Sequence, residues 1–422
     1  MVALGILLSK IRHYISTLTL IKGLFVSLCL SAFIYLDAFD INYKALDTLL
    51  AMMGFYLLFK SNRYVFFWVG FFTSLLWFWW IAVSFIHYDM IYLIPFLLLA
   101  IGLIYGFLFL GIYTLSDRFS NIYIKMTILS ISLLLLSYIH PFGFDWFKPE
   151  LTFVNSYFGV SKWQFAIILA SITLTITQKN YLFLALSLLS FNPHHPTISY
   201  TNSDIKLVST YIDVKDKWDE SKKEANNQKM LSYIDQAILR GYKTVVLPES
   251  VFIDFINYNQ SLFDALKQRA KHINIITGGL YLDGKIPRNS TYIFTRDGKV
   301  QVAHKYILVP FGESNPLPKF LSDWVNETFY GGAVDYKASD HISTYKLDDK
   351  TYTNTICFEA TSDKLYQNHP KAIIAISNNG WFYPSTEPTL QKLLLKYYAT
   401  IYHTTIYHAI NMSKSYIISL PN

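Results

Sequence analysis

The chain has little cysteine and little charge: two cysteines among 422 residues, and 15% Asp, Glu, Lys or Arg. Cys29 lies in an apolar segment and Cys357 far along a polar half, so no bridge between them is plausible and a disulfide scaffold is excluded. Cys357 is therefore free. Metal-ligand clusters are missing too: His194 and His195 are adjacent in a turn, and His403 and His408 sit poorly aligned on what reads as a helix. No metal site and no cofactor motif is expected. A basic stripe interleaved with exposed aromatics is also missing, so no nucleic-acid partner is expected; the formal charge of +7 suits anionic lipid headgroups instead.

What is abundant is apolar and aromatic surface, 52% and 17% of the residues. It is concentrated in one half. Residues 1–191 carry long apolar runs with few charges, whereas residues 192–422 have ordinary globular composition, which predicts a transmembrane domain followed by a water-soluble one. Apolar segments near 16–36, 45–59, 64–87, 91–115, 122–139, 163–178 and 180–191 give about seven candidate spans, three of them short. The first reads as an anchor rather than a cleaved signal.

With the N-terminus inside, Lys10, Arg12, Lys60, Arg63, Arg118, Lys125 and Lys179 fall on the cytoplasmic side, against Lys44, Lys148 and Lys162 opposite. An odd number of spans then puts the second half on the outer face. Trp68, Trp77, Trp79 and Trp80 fit an interfacial belt better than a lipid groove. The stretch HPFGFDWFKPE (140–150) is expected to lie against the outer membrane surface.

The second half alternates strand and helix patterns. IKLVST (205–210), KTVVLPES (243–250), NIITGGLYL (274–282), a hairpin over 290–313, YTNTICFE (352–359), KAIIAISNNGWF (371–382) and SYIIS (415–419) read as strands. Residues 217–239, 263–273 and 390–410 read as helices. The expected fold is a layered α/β sandwich, with polar residues Glu249, Cys357, Glu359, Asn378 and Asn379 at strand ends, where open α/β sheets place their sites.

Lys305 is expected to be exposed on the second arm of the hairpin. Taken singly, Glu249 fits a turn acid, Lys305 a solvated charge and Cys357 a small buried hydrophobe. Taken together they fit a nucleophilic site: a thiol must be ionised, a nearby ammonium favours the thiolate, and a carboxylate can take the proton. In that reading Cys357 is the nucleophile, Glu249 the general base and Lys305 the cation that stabilises an oxyanion.

LPES around Glu249, HKYILVPFGE around Lys305, ICFEA around Cys357 and SNNGWF (377–382) together resemble the nitrilase (carbon-nitrogen hydrolase) superfamily with its Glu-Lys-Cys triad. With KWD at 217–219 and a polytopic first half, the chain looks like the apolipoprotein N-acyltransferase branch. The resemblance implies an α-β-β-α sandwich on a helical membrane domain, in the cell inner membrane with the catalytic domain in the periplasm. It implies acyl transfer from a phospholipid, typically phosphatidylethanolamine, through a Cys357 thioester, to the α-amine of the diacylglyceryl-cysteine of an apolipoprotein. A monomer without cofactor is expected.

By motif position, Glu313 and Glu359 would support the site, Trp218 would be a mobile lid or substrate contact, and Asn289 and Trp381 would shape the pocket. Phe358 stands where the family often has Tyr, which removes a hydroxyl beside the nucleophile. The family's usual last span after the domain has no counterpart before Asn422, and AINMSKS (409–415) departs from its wording. Two other readings remain: a membrane-tethered amidase or nitrilase-type hydrolase in which water resolves the thioester, and a lipoprotein-binding protein without turnover.

Overall fold

The computed structural model describes residues 16–217, 219–319, 322, 327 and 335–421. Two compact units are present: residues 1–141, 145–195 and 384–397 form one, and residues 142–144, 196–383 and 398–422 the other.

In the first unit all seven apolar segments are helical, as Thr17–Ala38, Lys44–Phe59, Arg63–Tyr88, Ile91–Asp117, Ile122–Tyr138, Lys162–Gln178 and Tyr181–Ser190. Among the described residues, Thr17–Ala38, Arg63–Tyr88 and Ile91–Asp117 are long and apolar enough to cross a membrane. Their starts follow from local chemistry. The Asn62 side chain accepts from the backbone N–H of Tyr64 and Val65, both at 3.1 Å, and Asn121 caps the helix from Ile122 in the same way.

Helices 63–78 and 94–117 touch because Gly70 is bare: a Cβ there would sit 2.3 Å from the Tyr105 carbonyl oxygen. Trp77 and Trp80 are buried rather than belted at an interface, and Trp77 Nε1 donates to Ser31 Oγ at 3.1 Å. Outward faces instead carry Phe25, Leu28, Phe96 and Phe107, exposed apolar surface of the kind that lipid covers. Two buried carboxylates of this unit, Glu150 and Asp37, have cationic partners. Glu150 is fully buried, meets Lys162 at 2.6 Å and accepts from the Tyr397 hydroxyl at 3.1 Å, while Lys392 pairs with Asp37 at 2.6 Å.

Among the described residues the second unit holds twelve strands: β1 (Thr197–Ser199), β2 (Ile205–Leu207), β3 (Thr244–Val246), β4 (Phe252–Phe255), β5 (Asn274–Asp283), β6 (Ile286–Phe294), β7 (Val300–His304), β8 (Thr344–Leu347), β9 (Lys350–Ile356), β10 (Ala372–Asn378), β11 (Thr405–Asn411) and β12 (Tyr416–Ser419). One sheet runs β2-β3-β5-β6-β7 with β4 beside β5, the other β1-β12-β11-β10-β9-β8.

Strand alternation sorts the apolar residues into layers. Val245, Ile275, Tyr292 and Phe294 face the helices Lys223–Leu239 and Gln260–Ala270, and their neighbours Val246, Ile276 and Ile293 face Ile356, Ile374 and Ile376 of the other sheet. The helix Glu387–Tyr402 makes the crossover between parallel β10 and β11, and its Tyr398 stacks on Tyr366 at 4.6 Å. Helix, sheet, sheet, helix is the α-β-β-α sandwich that the pattern predicts.

The helix expected over 390–410 ends at Tyr402. His403 takes a left-handed φ of 54°, and the β-branched run Thr404, Thr405, Ile406 enters β11 beside β10. His408 therefore lies on a strand, buried between the Tyr416 hydroxyl (3.0 Å) and Ser377 Oγ (2.7 Å).

Candidate active site

Glu249 stands three residues beyond β3. Leu247 N–H still donates to the Ile276 carbonyl at 2.8 Å, then the chain passes over β5 and reverses at Ser250, whose φ is 46°. That passage needs a glycine beneath it. A Cβ on Gly278 would fall 2.3 Å from Ser250 N and 2.6 Å from Glu249 Cα, both backbone atoms that no side-chain rotation can move.

Lys305 follows β7 directly, with its backbone N–H on the Asn289 carbonyl at 2.9 Å. It is 1% exposed, so the solvated position expected from the sequence is wrong. The cause is its partners: Nζ lies 2.7 Å from Glu313 Oε2 and 3.7 Å from Glu249 Oε1, and a buried ammonium needs opposite charge. Burial alone would lower its pKa, but the charges of Glu313, Glu249 and Cys357 override this and hold the pKa above the ordinary lysine value.

Asn289, on β6, ties the two carboxylates together. Its Nδ2 donates to Glu249 Oε1 at 2.7 Å and to Glu313 Oε1 at 2.8 Å. Glu313 also accepts from the Val309 N–H at 2.9 Å. Through these bonds both residues fix the geometry around Lys305.

Cys357 is the first residue past β9, partly buried against the apolar layer between the sheets, with a left-handed φ of 54°. A non-glycine residue held there marks a sharp turn that surrounding structure must enforce. Glu359 enforces it. Its Oε1 accepts from the Ile356 N–H at 2.7 Å, and its Oε2 from the N–H groups of Tyr306 and Ile307 at 2.7 and 3.0 Å. One carboxylate therefore fastens the residues after Lys305 to the residue before Cys357. Burial pushes its pKa up to about 7, against the pull of Lys305 and the three N–H donors.

Phe358 is buried and stacks on Phe144 at 5.4 Å, while Phe142 meets Phe311 edge-on at 5.9 Å. Trp381 lies in the 3-10 turn Asn379–Phe382 after β10, partly exposed. Asn378 is occupied structurally, accepting from Asn411 Nδ2 at 2.8 Å and from the Gly380 N–H at 3.3 Å. Trp218 lies outside the described residues.

Sequence reasoning missed Lys217, although it belongs to the KWD stretch. It is 4% exposed, and its Nζ donates to the Glu249 backbone carbonyl at 3.2 Å. Nothing in the local pattern marks it as buried, because it ends a four-residue helical turn, Val214–Lys217, among other charges. Glu249, Lys305 and Cys357 thus stand just past β3, β7 and β9, Lys217 reaches Glu249 from its own turn, and the thiol is near enough to act electrostatically on both amines, an arrangement able to ionise sulfur and to stabilise a negatively charged oxygen.

The family described as apolipoprotein N-acyltransferase integral membrane domain matches residues 17–194. Over 405 residues the chain is 40% identical to the apolipoprotein N-acyltransferase of Wolinella succinogenes, covering 94% of this chain and 95% of that protein. It is 36% identical over 412 residues to that of Campylobacter jejuni, with 95% and 90% covered, and 37% identical over 397 residues to that of Helicobacter pylori, with 91% of each covered. Among solved structures, a CN-hydrolase superfamily protein from Xanthomonas campestris aligns with TM-score 0.38 and 14% identity, covering 52% of this chain and 79% of that one. Nit3 of Saccharomyces cerevisiae, of the nitrilase superfamily, aligns with TM-score 0.37 and 19% identity, covering 50% and 79%. With such identity to curated relatives along nearly its whole length, and a membrane-domain match over its first half, the chain belongs to the apolipoprotein N-acyltransferase family of membrane proteins.

Proposed function

We propose that the protein moves a fatty acyl chain from a phospholipid, phosphatidylethanolamine in the simplest case, to the α-amine of the N-terminal diacylglyceryl-cysteine of an apolipoprotein. Glu249 takes the Cys357 proton, and the thiolate attacks the ester carbonyl of the phospholipid. Lys305 stabilises the oxyanion that forms. Collapse breaks the ester bond, the lysophospholipid oxygen leaves with the proton from Glu249, and a thioester remains. The lipoprotein amine then attacks the thioester, Glu249 accepts its proton, and the thiolate is released as the amide forms.

The observation that carries this reading is that Glu249 and Lys305, past β3 and β7 of one sheet, meet at 3.7 Å, with Cys357, past β9 of the other sheet, near enough to act on the lysine electrostatically. Glu313 and Asn289 hold the carboxylate and the amine, Glu359 holds the turn, and Phe358 anchors the residue after the nucleophile by stacking on Phe144. Trp218 and Trp381 are proposed as substrate contacts. The Lys and Arg asymmetry of the short loops supports residues 192–422 on the outer face of the membrane, and the family resemblance implies the inner membrane, with the periplasm on that face, and a monomer.

Incubating the solubilised protein with phospholipid should add the mass of one fatty acyl group to the Cys357 peptide. A diacylated lipopeptide should then remove it and become N-acylated. Release of free fatty acid without an N-acylated product would show a hydrolase instead, and an unmodified Cys357 would end the thioester reading.

Gly278→Ala tests whether the Glu249 backbone must lie where it does. Since the added methyl meets main-chain atoms at 2.3–2.8 Å, the variant is expected to shift Glu249. Acyl transfer should fall by roughly 10²-fold, as displacement of a reacting group by about an ångström does. Steady-state N-acylation alongside a thermal melt is the check.

A further inference from the structure

Lys217 has no role in the acyl-transfer steps, and its surroundings are unusual. It is buried, and among the described residues its Nζ has one hydrogen-bond partner, the Glu249 carbonyl at 3.2 Å, and no carboxylate within ion-pair distance. Asp216 on the same turn is taken by Lys222. An ammonium there retains uncancelled charge, which a low-dielectric site makes costly unless something uses it.

The charges around it supply that use. Glu249 and Glu313 bring two negative charges to the site, and Lys305, 2.7 Å from one and 3.7 Å from the other, brings one positive charge. The remainder is negative before Cys357 ionises. A like charge disfavours ionisation, so the Lys305 cluster alone opposes the thiolate. Lys217 restores the balance from the side of β3, and it also clamps the main chain that carries Glu249.

We propose that Lys217 is a second active-site lysine, a positioning residue whose ammonium fixes the Glu249 backbone and favours the Cys357 thiolate. It acts through those two residues. Burial lowers the Lys217 pKa to about 8, against the opposing pull of Glu249 and Cys357, so the charge is present at neutral pH and is lost above about 8. The titratable groups that face the site are Glu249 after β3, Lys305 and Glu313 after β7, and Cys357 and Glu359 after β9. The inference rests on Cys357 being the nucleophile.

The test is the rate of Cys357 alkylation by iodoacetamide from pH 5 to 10, in the full-length detergent-solubilised protein with Cys29→Ser as background. Lys217→Met is expected to raise the apparent thiol pKa by about one unit and slow alkylation about tenfold at pH 7. Lys217→Arg should follow the wild-type profile below about pH 8, where the lysine is charged too, and keep its charge above it. Should the Met variant fail to fold, Lys217→Gln, which keeps a donor but not the charge, is compared with Lys217→Arg. Neutral variants that follow the wild-type profile, with only the melting temperature lowered, overturn the proposal. Because alkylation reads the thiol and not acyl transfer, an unshifted profile with an acylated Cys357 overturns the role of Lys217 alone, and a shifted profile with no acylated Cys357 overturns the thioester reading on which that role rests.

Discussion

Cys357→Ser is expected to lose both the thioester and the N-acylated product. Serine preserves the shape of the turn past β9, including its left-handed φ of 54°, but its hydroxyl ionises far less readily than a thiol. Neither Lys305 nor Lys217 can close that gap, since neighbouring charges shift such equilibria by a few pKa units at most. The rate should fall at least about 10³-fold, the scale on which removing a nucleophile acts when its partners remain in place. Phospholipid turnover and lipopeptide acylation, measured separately, should fall together because in the proposed mechanism both pass through sulfur. A variant with wild-type behaviour in both assays would instead support a lipoprotein-binding protein without turnover.

Glu249→Gln is expected to keep the fold and lose the chemistry. The amide oxygen of the variant can still accept from Asn289 Nδ2, which now meets Glu249 Oε1 at 2.7 Å, and the Lys305 pair with Glu313 at 2.7 Å is untouched. What disappears is basicity. General-base removal costs roughly 10²- to 10⁴-fold, and the loss should appear in both half-reactions because the proposed mechanism gives Glu249 a proton to handle in each. Single-turnover acylation of Cys357 and transfer to lipopeptide, with a melting curve for comparison, separate this from unfolding. If the amide variant runs both steps near the wild-type rate, the base is the other carboxylate that Asn289 holds, Glu313.

The elements were readable wherever pattern and neighbours agree. KTVVLPES shows a strand that stops at a carboxylate, and the structure ends β3 at Val246 with Glu249 just beyond. Residues 390–410 show where pattern fails: the apolar run continues through a helix and then a strand, and only pairing with β10 turns Thr405–Asn411 into β11. Composition likewise suggested a single boundary near residue 191. The compact units exchange two segments across it: 384–397, whose Lys392 and Tyr397 pair with Asp37 and Glu150, and 142–144, whose Phe144 stacks on Phe358. Such partners are distant in sequence, and no local periodicity encodes them.

By itself the sequence determined the apolar helices, the period-two strands, and which carboxylate and thiol stand at strand ends, because these follow from local side-chain chemistry. Tertiary structure alone decided that Lys305 is buried between Glu249 and Glu313, that Asn289 joins the two carboxylates, that Gly278 must be bare, and that Lys217 reaches the Glu249 carbonyl. Burial and charge pairing are properties of the order in which strands lie side by side, and that order exists only once the two sheets have closed on their shared core.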